Sequence, residues 1–452
     1  MTSVDRSGEL LALAERVVAM ASSGEQVEAY VSRGLSTEVR IYEGEVEHFV
    51  SAQSEGIGIR VIRGGRTGTS YAGTLDESVV ADVLAEARDN LGFAEVDEWA
   101  GLAEPDGVPV VPQELWNADL ERTTTGRKIE LAKTLEALTL GRDRRVRVDD
   151  ANYADSFGEA AVATSTGIRV AGRENGCYVS VGTLADDGDE TQTGFGFAVG
   201  RHVDELDLER AATDAVDRAT RLLGGTKPES RRVTVVLDPY VTAQFLGVIG
   251  GTLSGDAVAK GRSLFANRLG DDVANPRLTL VDDPTNPLAY TATDIDGEGL
   301  AARRNVLIDS GRLERFVQST YSARRLGVAP TGNGVRGGFA GSPGAGCLAL
   351  QVVPGTRSQA EIVADIDDGI LIQQVQGLHS GVNAVSGDFS TGAAGLVIDR
   401  GQLGRPVREF TIASTLQRML LDIAEIGADV EWLPMRASGV SLVIHDVTMS
   451  GS

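Results

Sequence analysis

The sequence predicts an α+β fold in which N-terminal α/β modules with antiparallel strands precede a strand-rich C-terminal domain. Before residue 228, amphipathic helical stretches alternate with β-branched runs, whereas most periodic segments after Arg232 are strand-like. The 55 glycines also favour many turns and closely approaching strands. We expect four parts, of which the two modules form one N-terminal domain: an α+β module (1–97), a linker (98–124), a helix-plus-strand module (125–228) and a β-rich domain (229–452).

The first module opens with an amphipathic helix. Apolar residues recur at helical spacing over residues 9–21, which is typical of a helix with one buried face. Strand-like stretches follow at 27–32, 36–51 and 56–63, and the last ends at a Gly-Gly turn. A capping box at residues 74–77 predicts a helix that runs to Leu91.

The middle module has the same helix-first order. A helix is predicted from Thr125 to Gly141, and four strand-like stretches between residues 146 and 184 are typical of an antiparallel meander. The acidic segment at 186–193 lacks the spaced ligands of a calcium loop and is expected to be an exposed turn. A long amphipathic helix over 203–223 closes the module.

The C-terminal domain begins with the stretch that is most typical of a functional site. The β-branched residues 233–236 predict a buried strand, and residues 240–249 predict an apolar helix that Gly250 and Gly251 stop. A strand, an apolar helix and a glycine-punctuated loop commonly house an active site. This helix nevertheless carries no His, Asp, Glu or Cys.

The remainder of the domain is predicted to be mainly hairpins. One hairpin is expected at 306–313, and nearly the same residues recur at 396–403. A single helix is predicted over 411–426. It is expected to pack on the strands through apolar residues at helical spacing, namely Ile412, Leu416, Met419, Leu420 and Ile423.

The charge and the cysteine content exclude several classes of function. A net charge of −23 argues against direct nucleic-acid binding, because phosphate backbones are bound by clustered Lys and Arg. Two distant cysteines, Cys177 and Cys347, favour free and mostly buried thiols in a reducing compartment. The chain shows neither a signal-peptide pattern nor a run of ~18 apolar residues, so we expect a cytoplasmic protein with no membrane partner.

Short motifs, in their order and spacing, resemble those of the TldD/PmbA family over essentially the whole chain. The first is the strand and Gly-Gly turn at 56–65. The others lie in the C-terminal domain, at 253–256 with 261–263, 281–284, 296–299 with Arg303 and Arg304, 319–324, 331–334 and 385–389. The resemblance implies the α+β fold of that family and a role in the cleavage of peptides.

The resemblance also implies which branch of the family the chain is similar to. The TldD-like branch is a zinc metalloprotease with His-Glu-x-x-x-His on a helix and a cysteine ligand near the C-terminus. Anchored on 253–256, this motif aligns with residues 246–251, where Leu246, Gly247 and Gly251 stand in place of the first histidine, the glutamate and the second histidine. Residues 431–443 contain no cysteine. The chain is similar to the PmbA/TldE-like branch, so no catalytic or metal-binding residue is expected.

The function implied by the resemblance is that of a non-catalytic subunit in a TldD/TldE-type zinc metallopeptidase complex, which cleaves unfolded or extended peptides. A TldD-like metalloprotease subunit would be the heterodimer partner and would hold the zinc, whereas this chain would hold no cofactor and form half of the enclosing chamber. The peptide substrate would add as a strand to an exposed sheet edge. A homodimer is the alternative for the isolated chain.

Two other functions stay open from the residues alone. One is a divergent peptidase or amide hydrolase of a specialised peptide or natural-product pathway, and the other is a homodimeric peptide-binding scaffold. Residues in or near the family motifs are the candidates for the chamber lining, namely Asp256, Tyr321, Arg324, Asn333 and His379. Cys347 has no identifiable base nearby in sequence and is expected to be a buried thiol.

Overall fold

The computed structural model describes residues 7–188 and 190–451 and has the α+β architecture that the sequence predicts. The helices in these ranges are α1 (Ser7–Val18), α2 (Glu77–Asn90), α3 (Ala118–Glu121), α4 (Thr125–Leu140), α5 (Leu208–Thr220), α6 (Pro239–Thr252), α7 (Gly255–Ala259), α8 (Thr320–Leu326), α9 (Gln359–Ala364), α10 (Leu378–Gly381) and α11 (Leu416–Leu421). The strands are β1 (Gln26–Tyr42), β2 (Glu45–Arg63), β3 (Arg66–Ala72), β4 (Val146–Thr164), β5 (Arg169–Asp187), β6 (Glu190–Gly200), β7 (Arg231–Leu237), β8 (Leu280–Asp282), β9 (Asn305–Asp309), β10 (Arg312–Leu313), β11 (Gly334–Val335), β12 (Gly344–Ala345), β13 (Leu350–Val352), β14 (Asp368–Gln376), β15 (Asp388–Asp399), β16 (Gln402–Thr415), β17 (Ile423–Ile426) and β18 (Leu442–Ser450).

An antiparallel six-stranded sheet, in the order β3-β2-β1-β4-β5-β6, combines strands from the first 97 residues with strands from the middle of the chain. In the register of β1, Tyr30 lies opposite Gly58 of β2 and opposite Val162 of β4. The four strand-like stretches predicted between 146 and 184 are two continuous strands, because β4 and β5 pair with each other along almost their full length.

Four helices, α1, α2, α4 and α5, cover one face of this sheet. Successive strand residues point to opposite faces. Val27 and Val31 therefore enter the core beneath α1 and α2, whereas Glu28 and Tyr30 point to the second face. The C-terminal domain docks against that second face, so the alternation along β1 decides which side chains reach the domain junction.

The C-terminal domain holds α6 between two sheets. One has six strands in the order β16-β15-β14-β7-β18-β17, with β7 and β14 parallel, and the other has four in the order β10-β9-β8-β13. Phe245 and Ile249 of α6 share a core cluster with Val235 of β7 and Leu350 of β13. The apolar helix predicted from the sequence is thus the centre of a three-layer core.

The helix predicted over 411–426 is wrong. The chain remains extended to Thr415 in β16, forms the short helix α11, and becomes extended again in β17. Cross-strand pairing overrides the helical spacing here, because Ile412 pairs with Thr391 of β15 and with Met449 of β18. The five apolar residues named for the helix are all buried, and three of them, Leu416, Met419 and Leu420, are helical in α11, whereas Ile412 and Ile423 lie in strands.

The helix predicted over 203–223 is shorter in the structure. Val203–Glu205 forms a 3-10 turn, and α5 begins only after Asp207, whose side chain accepts a hydrogen bond from the backbone N–H of Arg210 at 2.9 Å. No helix among residues 7–188 and 190–451 has the length and apolar character required to span a membrane.

Both predicted hairpins are present. The turn between β9 and β10 places Ser310 and Gly311 at φ values of 47° and 86°, and the turn between β15 and β16 places Arg400 and Gly401 at 47° and 77°. Positive φ at both central positions defines the type I′ turn, which matches the twist of antiparallel strands. The repeated sequence therefore produces the same local geometry twice.

Candidate functional site

Helix α6 contains the positions that align with the zinc motif. Its start is fixed by Asp238, whose side chain accepts the backbone N–H of Tyr240 at 2.9 Å, and by Pro239 in the first turn. Leu246 is only 1% exposed and belongs to the core between the two sheets. The three aligned positions therefore do not share one face of the helix, because Gly247 and Gly251 lie on its exposed side.

The exposed face of α6 has two positions without a side chain, Gly247 and Gly251, beside the half-buried Gln244 and Val248. Gly247 and Gly251 are four residues apart, one turn of helix, and a Cβ added at either position would meet no heavy atom within 4 Å. Another chain is consequently able to approach the backbone of α6 closely at these two positions, because glycine has no side chain to keep it away.

The residues of this region do not fit a zinc ion. A catalytic zinc needs three protein donors from His, Cys, Asp or Glu, and the side chain of leucine and the hydrogen of glycine donate nothing. Within residues 7–188 and 190–451, no group of three or more such residues is arranged to hold a metal ion. The residues at α6 therefore cannot hold a zinc ion for catalysis.

Cys347 lies behind α6, on the core side. Its Sγ donates a hydrogen bond to the carbonyl oxygen of Gly250 at 3.8 Å, and the residue is buried. Burial first, and then the nearby carboxylate of Asp282, raise the pKa of the thiol well above its ordinary value. A protonated, enclosed thiol is a poor nucleophile, in keeping with the buried thiol predicted from the sequence.

Two of the five predicted lining residues meet at the 344–346 segment. Asp256 accepts the backbone N–H of Ala345 at 2.9 Å, while its Oδ1 is buried without a hydrogen-bond partner. Asn333, which is fully buried, donates to the carbonyl of Gly346 at 3.2 Å and to Asp282 at 2.6 Å. Both side chains therefore fix the backbone of the segment that leads to Cys347.

The next two predicted residues lie on α8, at the junction between the domains. Arg324 donates to the carbonyl of Leu102 at 3.3 Å and forms an ion pair with Glu104 at 3.7 Å. Tyr321 is half-buried and lines a surface groove together with Trp99. Helix α8 thus holds the segment 98–104 against the C-terminal domain, and within the described ranges no hydrogen bond or ion pair joins either side chain to α6.

His379 is separate from the other four. It is exposed on the short helix α10, and no hydrogen bond within the described ranges joins it to another predicted site residue. The structure therefore brings the five candidates together in two pairs and one isolated residue, rather than in one constellation.

The junction contains a buried ion triad that sequence reasoning missed. Glu28 is 1% exposed and accepts hydrogen bonds from Arg60 of β2 and from Arg336 of the C-terminal domain, each at 2.8 Å. Burial works to raise the pKa of Glu28, but the two guanidinium groups outweigh it and hold the pKa below its ordinary value. The guanidinium of Arg336 also stacks over the ring of Tyr30, 4.7 Å from its centroid.

Close backbone approach accompanies the triad. A Cβ added to Gly58 would overlap the backbone carbonyl of Phe339, so a side chain there would force the domains apart. The signal in the sequence was an acid, Glu28, flanked by the apolar residues Val27 and Ala29 at the start of β1. A strand with one face in water shows the same alternation of polar and apolar residues. The sequence of β1 alone therefore does not distinguish a domain junction from a solvated face.

The motif at 296–299 joins the same junction. Asp296 accepts three backbone N–H bonds, from Glu298, Leu300 and Gly334, at 2.7–2.9 Å. Burial nevertheless raises its pKa to about 6. Glu298 accepts the backbone N–H and the hydroxyl of Thr320 at 2.7 and 3.0 Å, and burial followed by repulsion from Asp296 raises its pKa to about 7.

Because the pKa of Glu298 is raised, we expect the substitution Glu298→Gln to change the pH dependence of stability. The pKa of Glu298 is about 7 in the folded protein and 4.5 in its ordinary state, so the folded state binds the proton of this carboxyl group more tightly than the unfolded state does. The contribution of Glu298 to stability is therefore fully present below about pH 4.5 and falls as the pH rises through 7. At pH 8 the amide should raise the free energy of unfolding by about 1–3 kcal/mol, and at pH 4.5 the gain should vanish.

Urea unfolding at the two pH values measures this difference. Glu95→Gln, which removes a carboxylate from an exposed position, supplies the matched control. An equal effect of Glu298→Gln at pH 4.5 and pH 8 would contradict the assignment.

Comparison with known proteins places the chain among related sequences. Three domain profiles of the PmbA/TldA metallopeptidases match in order: domain 1 at residues 27–91, the central domain at 118–223 and the C-terminal domain at 230–451. The metalloprotease PmbA of Escherichia coli O157:H7 is 24% identical over 412 residues, which cover 91% of this chain and 88% of the relative. A metalloprotease TldD homolog of Haemophilus influenzae is 27% identical over 423 residues, which cover 88% and 87%.

A solved structure shows the same fold. The crystal structure of TldE from Thermococcus kodakarensis superposes with a TM-score of 0.88 at 24% identity and covers 98% of this chain and 99% of its own. The relatives are matched over nearly their whole length, and the domain profiles together span most of the sequence. The chain belongs to the TldD/PmbA family.

Proposed function

We propose that the chain is the non-catalytic, TldE/PmbA-like subunit of a TldD/TldE-type zinc metallopeptidase complex that cleaves unfolded or extended peptides. The observation that carries the proposal is the composition of α6, where Leu246 packs into the core and glycine without a side chain stands at the exposed positions 247 and 251. The family places a metal on this helix in its catalytic branch, and here the helix has no donor. A TldD-like partner would hold the zinc and its water-activating base.

The retained helix suits a structural role in the complex. Its outer face has glycine at two positions one turn apart, so another backbone is able to approach it more closely than side chains would allow. Its inner face is held by the core between two sheets, which keeps the wall rigid. Relatives named PmbA and TldD both match this chain, which is consistent with two related subunits. We expect the complex to act in the cytoplasm.

Reconstitution tests the proposal. The purified chain, mixed with a TldD-like chain of the same organism that carries His-Glu-x-x-x-His, is expected to form a heterodimer and to cleave an unstructured fluorogenic peptide in a zinc-dependent reaction. The chain alone should bind no stoichiometric zinc and should not cleave, because the α6 region lacks donors. Size-exclusion chromatography, metal analysis and the cleavage rate are the measurements.

Each alternative corresponds to a different outcome. Stoichiometric zinc in the chain alone, or cleavage by it that survives repurification, would replace the proposal with a divergent peptidase or amide hydrolase. A stable homodimer that binds peptides and ignores the TldD-like chain would indicate a peptide-binding scaffold.

A further inference from the structure

A cleft separates the second face of the N-terminal sheet from the C-terminal domain. Tyr30 and Glu174 line it from the sheet, and Tyr290 and Arg436 line it from the C-terminal domain. Its volume is about 530 Å³, and it continues through Arg201 and Tyr290 into a second cavity of about 760 Å³. The two cavities share Arg201, Tyr290 and Ala292 in their lining, and both are open to solvent.

Five charged side chains line the first cavity, and two of them already have hydrogen-bond partners in the fold. Arg336 is paired with Glu28, and Asp296 accepts three backbone N–H groups. The charged side chains that remain to bind a ligand directly are Arg201, Arg436 and Glu174.

The guanidinium of Arg201 is oriented by carbonyl oxygens, while the backbone N–H of the same residue donates to the carboxylate of Glu205 at 2.7 Å. Its Nη1 donates to the carbonyl oxygens of Leu115 and Asn175 at 3.2 and 2.7 Å, and its Nη2 donates to that of Tyr290 at 3.4 Å. Neutral acceptors orient a guanidinium but leave its charge uncompensated. None of the ion pairs found among the described residues involves the Arg201 side chain.

Arg436 offers a second uncompensated charge from the other domain. Its backbone carbonyl accepts the N–H of Leu350 at 2.8 Å, which fixes the residue beside β13. Its side chain is exposed and makes no hydrogen bond or ion pair within residues 7–188 and 190–451. Two guanidinium groups, one from each domain, thus line the same cavity.

We propose that this interdomain cleft binds the carboxylate of an extended peptide between Arg201 and Arg436. Guanidinium groups suit this role, because their donors match the two oxygens of a carboxylate. The first cavity is lined by three arginines and two carboxylates, which leave a net charge of about +1 that one carboxylate balances and a phosphate dianion would exceed. Glu114 and Glu205 line the second cavity, so the favourable place for the carboxylate is the first cavity. The choice of a peptide rests on the proposed function, whereas the carboxylate site rests on the two arginines.

Calorimetric titration of the full chain tests the site. The probe is N-acetyl-tetraalanine with a free C-terminal carboxylate. Arg436→Gln is expected to weaken its binding roughly 10- to 100-fold, since a charge-assisted hydrogen bond of this kind contributes about 1.5–3 kcal/mol. The side chain has no partner to lose, so the urea midpoint should remain that of the wild type. Arg262→Gln removes an exposed arginine outside the cleft and should leave binding unchanged.

Two further probes separate the sources of the carboxylate. The C-terminally amidated tetraalanine should bind as weakly to the wild type as the free acid binds to Arg436→Gln. An amidated peptide with one internal glutamate reports whether a side-chain carboxylate substitutes for the terminus. Equal binding of the free and amidated tetraalanine, an unchanged affinity in Arg436→Gln, or no binding to the wild type would each overturn the inference. Failure of the TldD-like chain to bind would instead count against the proposed function alone.

Discussion

Replacing Arg336 with methionine is expected to lower the free energy of unfolding by about 3–5 kcal/mol, because it removes one partner of a buried ion triad. Glu28 and the Arg336 side chain are 1% and 5% exposed, so water cannot take over the lost contact. The variant also loses the bonds to the carbonyls of Gly297 and Gly341, each 3.1 Å long, and the contact with the ring of Tyr30. The two domains should consequently separate at lower denaturant concentration.

Urea unfolding, followed by circular dichroism, measures the loss. Arg16→Met is the matched control, since Arg16 pairs with Glu77 on the surface, where such pairs contribute about 0–1 kcal/mol. The double variant Glu28→Gln/Arg336→Met should cost less than the sum of the two single changes, because it no longer leaves a buried carboxylate short of a partner. Strict additivity would show that the triad is not an energetic unit.

The second large effect is expected at Leu246. Leu246→His places a polar ring in the fully apolar space between the two sheets and should cost about 2–5 kcal/mol, through lost packing and an unpaired buried nitrogen. Gly247→Glu and Gly251→His should leave the free energy of unfolding unchanged or raise it by as much as about 1 kcal/mol each. The added side chains meet open space, and glycine is unfavourable within a helix.

Thermal unfolding of the three single variants tests this asymmetry, and Leu246→Met gives the cost of a conservative change in the same space. The triple variant that recreates His-Glu-x-x-x-His should be destabilised by its first substitution and should not act as a zinc peptidase alone, because 431–443 also lacks a cysteine. Robust zinc-dependent cleavage by that variant would show that the geometry of α6 is misunderstood.

The sequence predicted the segments whose structure is set locally. The β-branched run at 233–236 and the Asp-Pro start define β7 and the beginning of α6 without reference to the rest of the chain. The predicted end was wrong by a few residues, because Gly250 and Gly251 are helical and α6 ends at Thr252. The type I′ turns at 310–311 and 400–401 are equally local. The structure of residues 411–426 is not set locally. Their apolar spacing fits a helix, and only pairing with the neighbouring strands β15 and β18 makes the chain extended up to Thr415.

The site was harder to predict than the fold for the same reason. The sequence identified α6 and the loss of its ligands, because those depend on residue identities within one helix. The sequence could not show that Arg324 forms an ion pair with Glu104 or that Asn333 donates a hydrogen bond to Asp282. Nor could it show that Arg201 and Arg436 line one cleft. Those pairs come together only when the domains dock. A role of Asp256 or His379 in lining a shared chamber remains a prediction for the assembled complex.

The buried triad also affects how the protein is made. Glu28 and Arg336 are 308 positions apart, so the ribosome needs roughly 15–60 s after Glu28 to deliver its partner. During that interval the second face of the N-terminal sheet is without its cover, and the charges of Glu28 and Arg60 keep it hydrated. The same residues that join the finished domains thereby oppose aggregation of the nascent chain, which a purely apolar seam would promote.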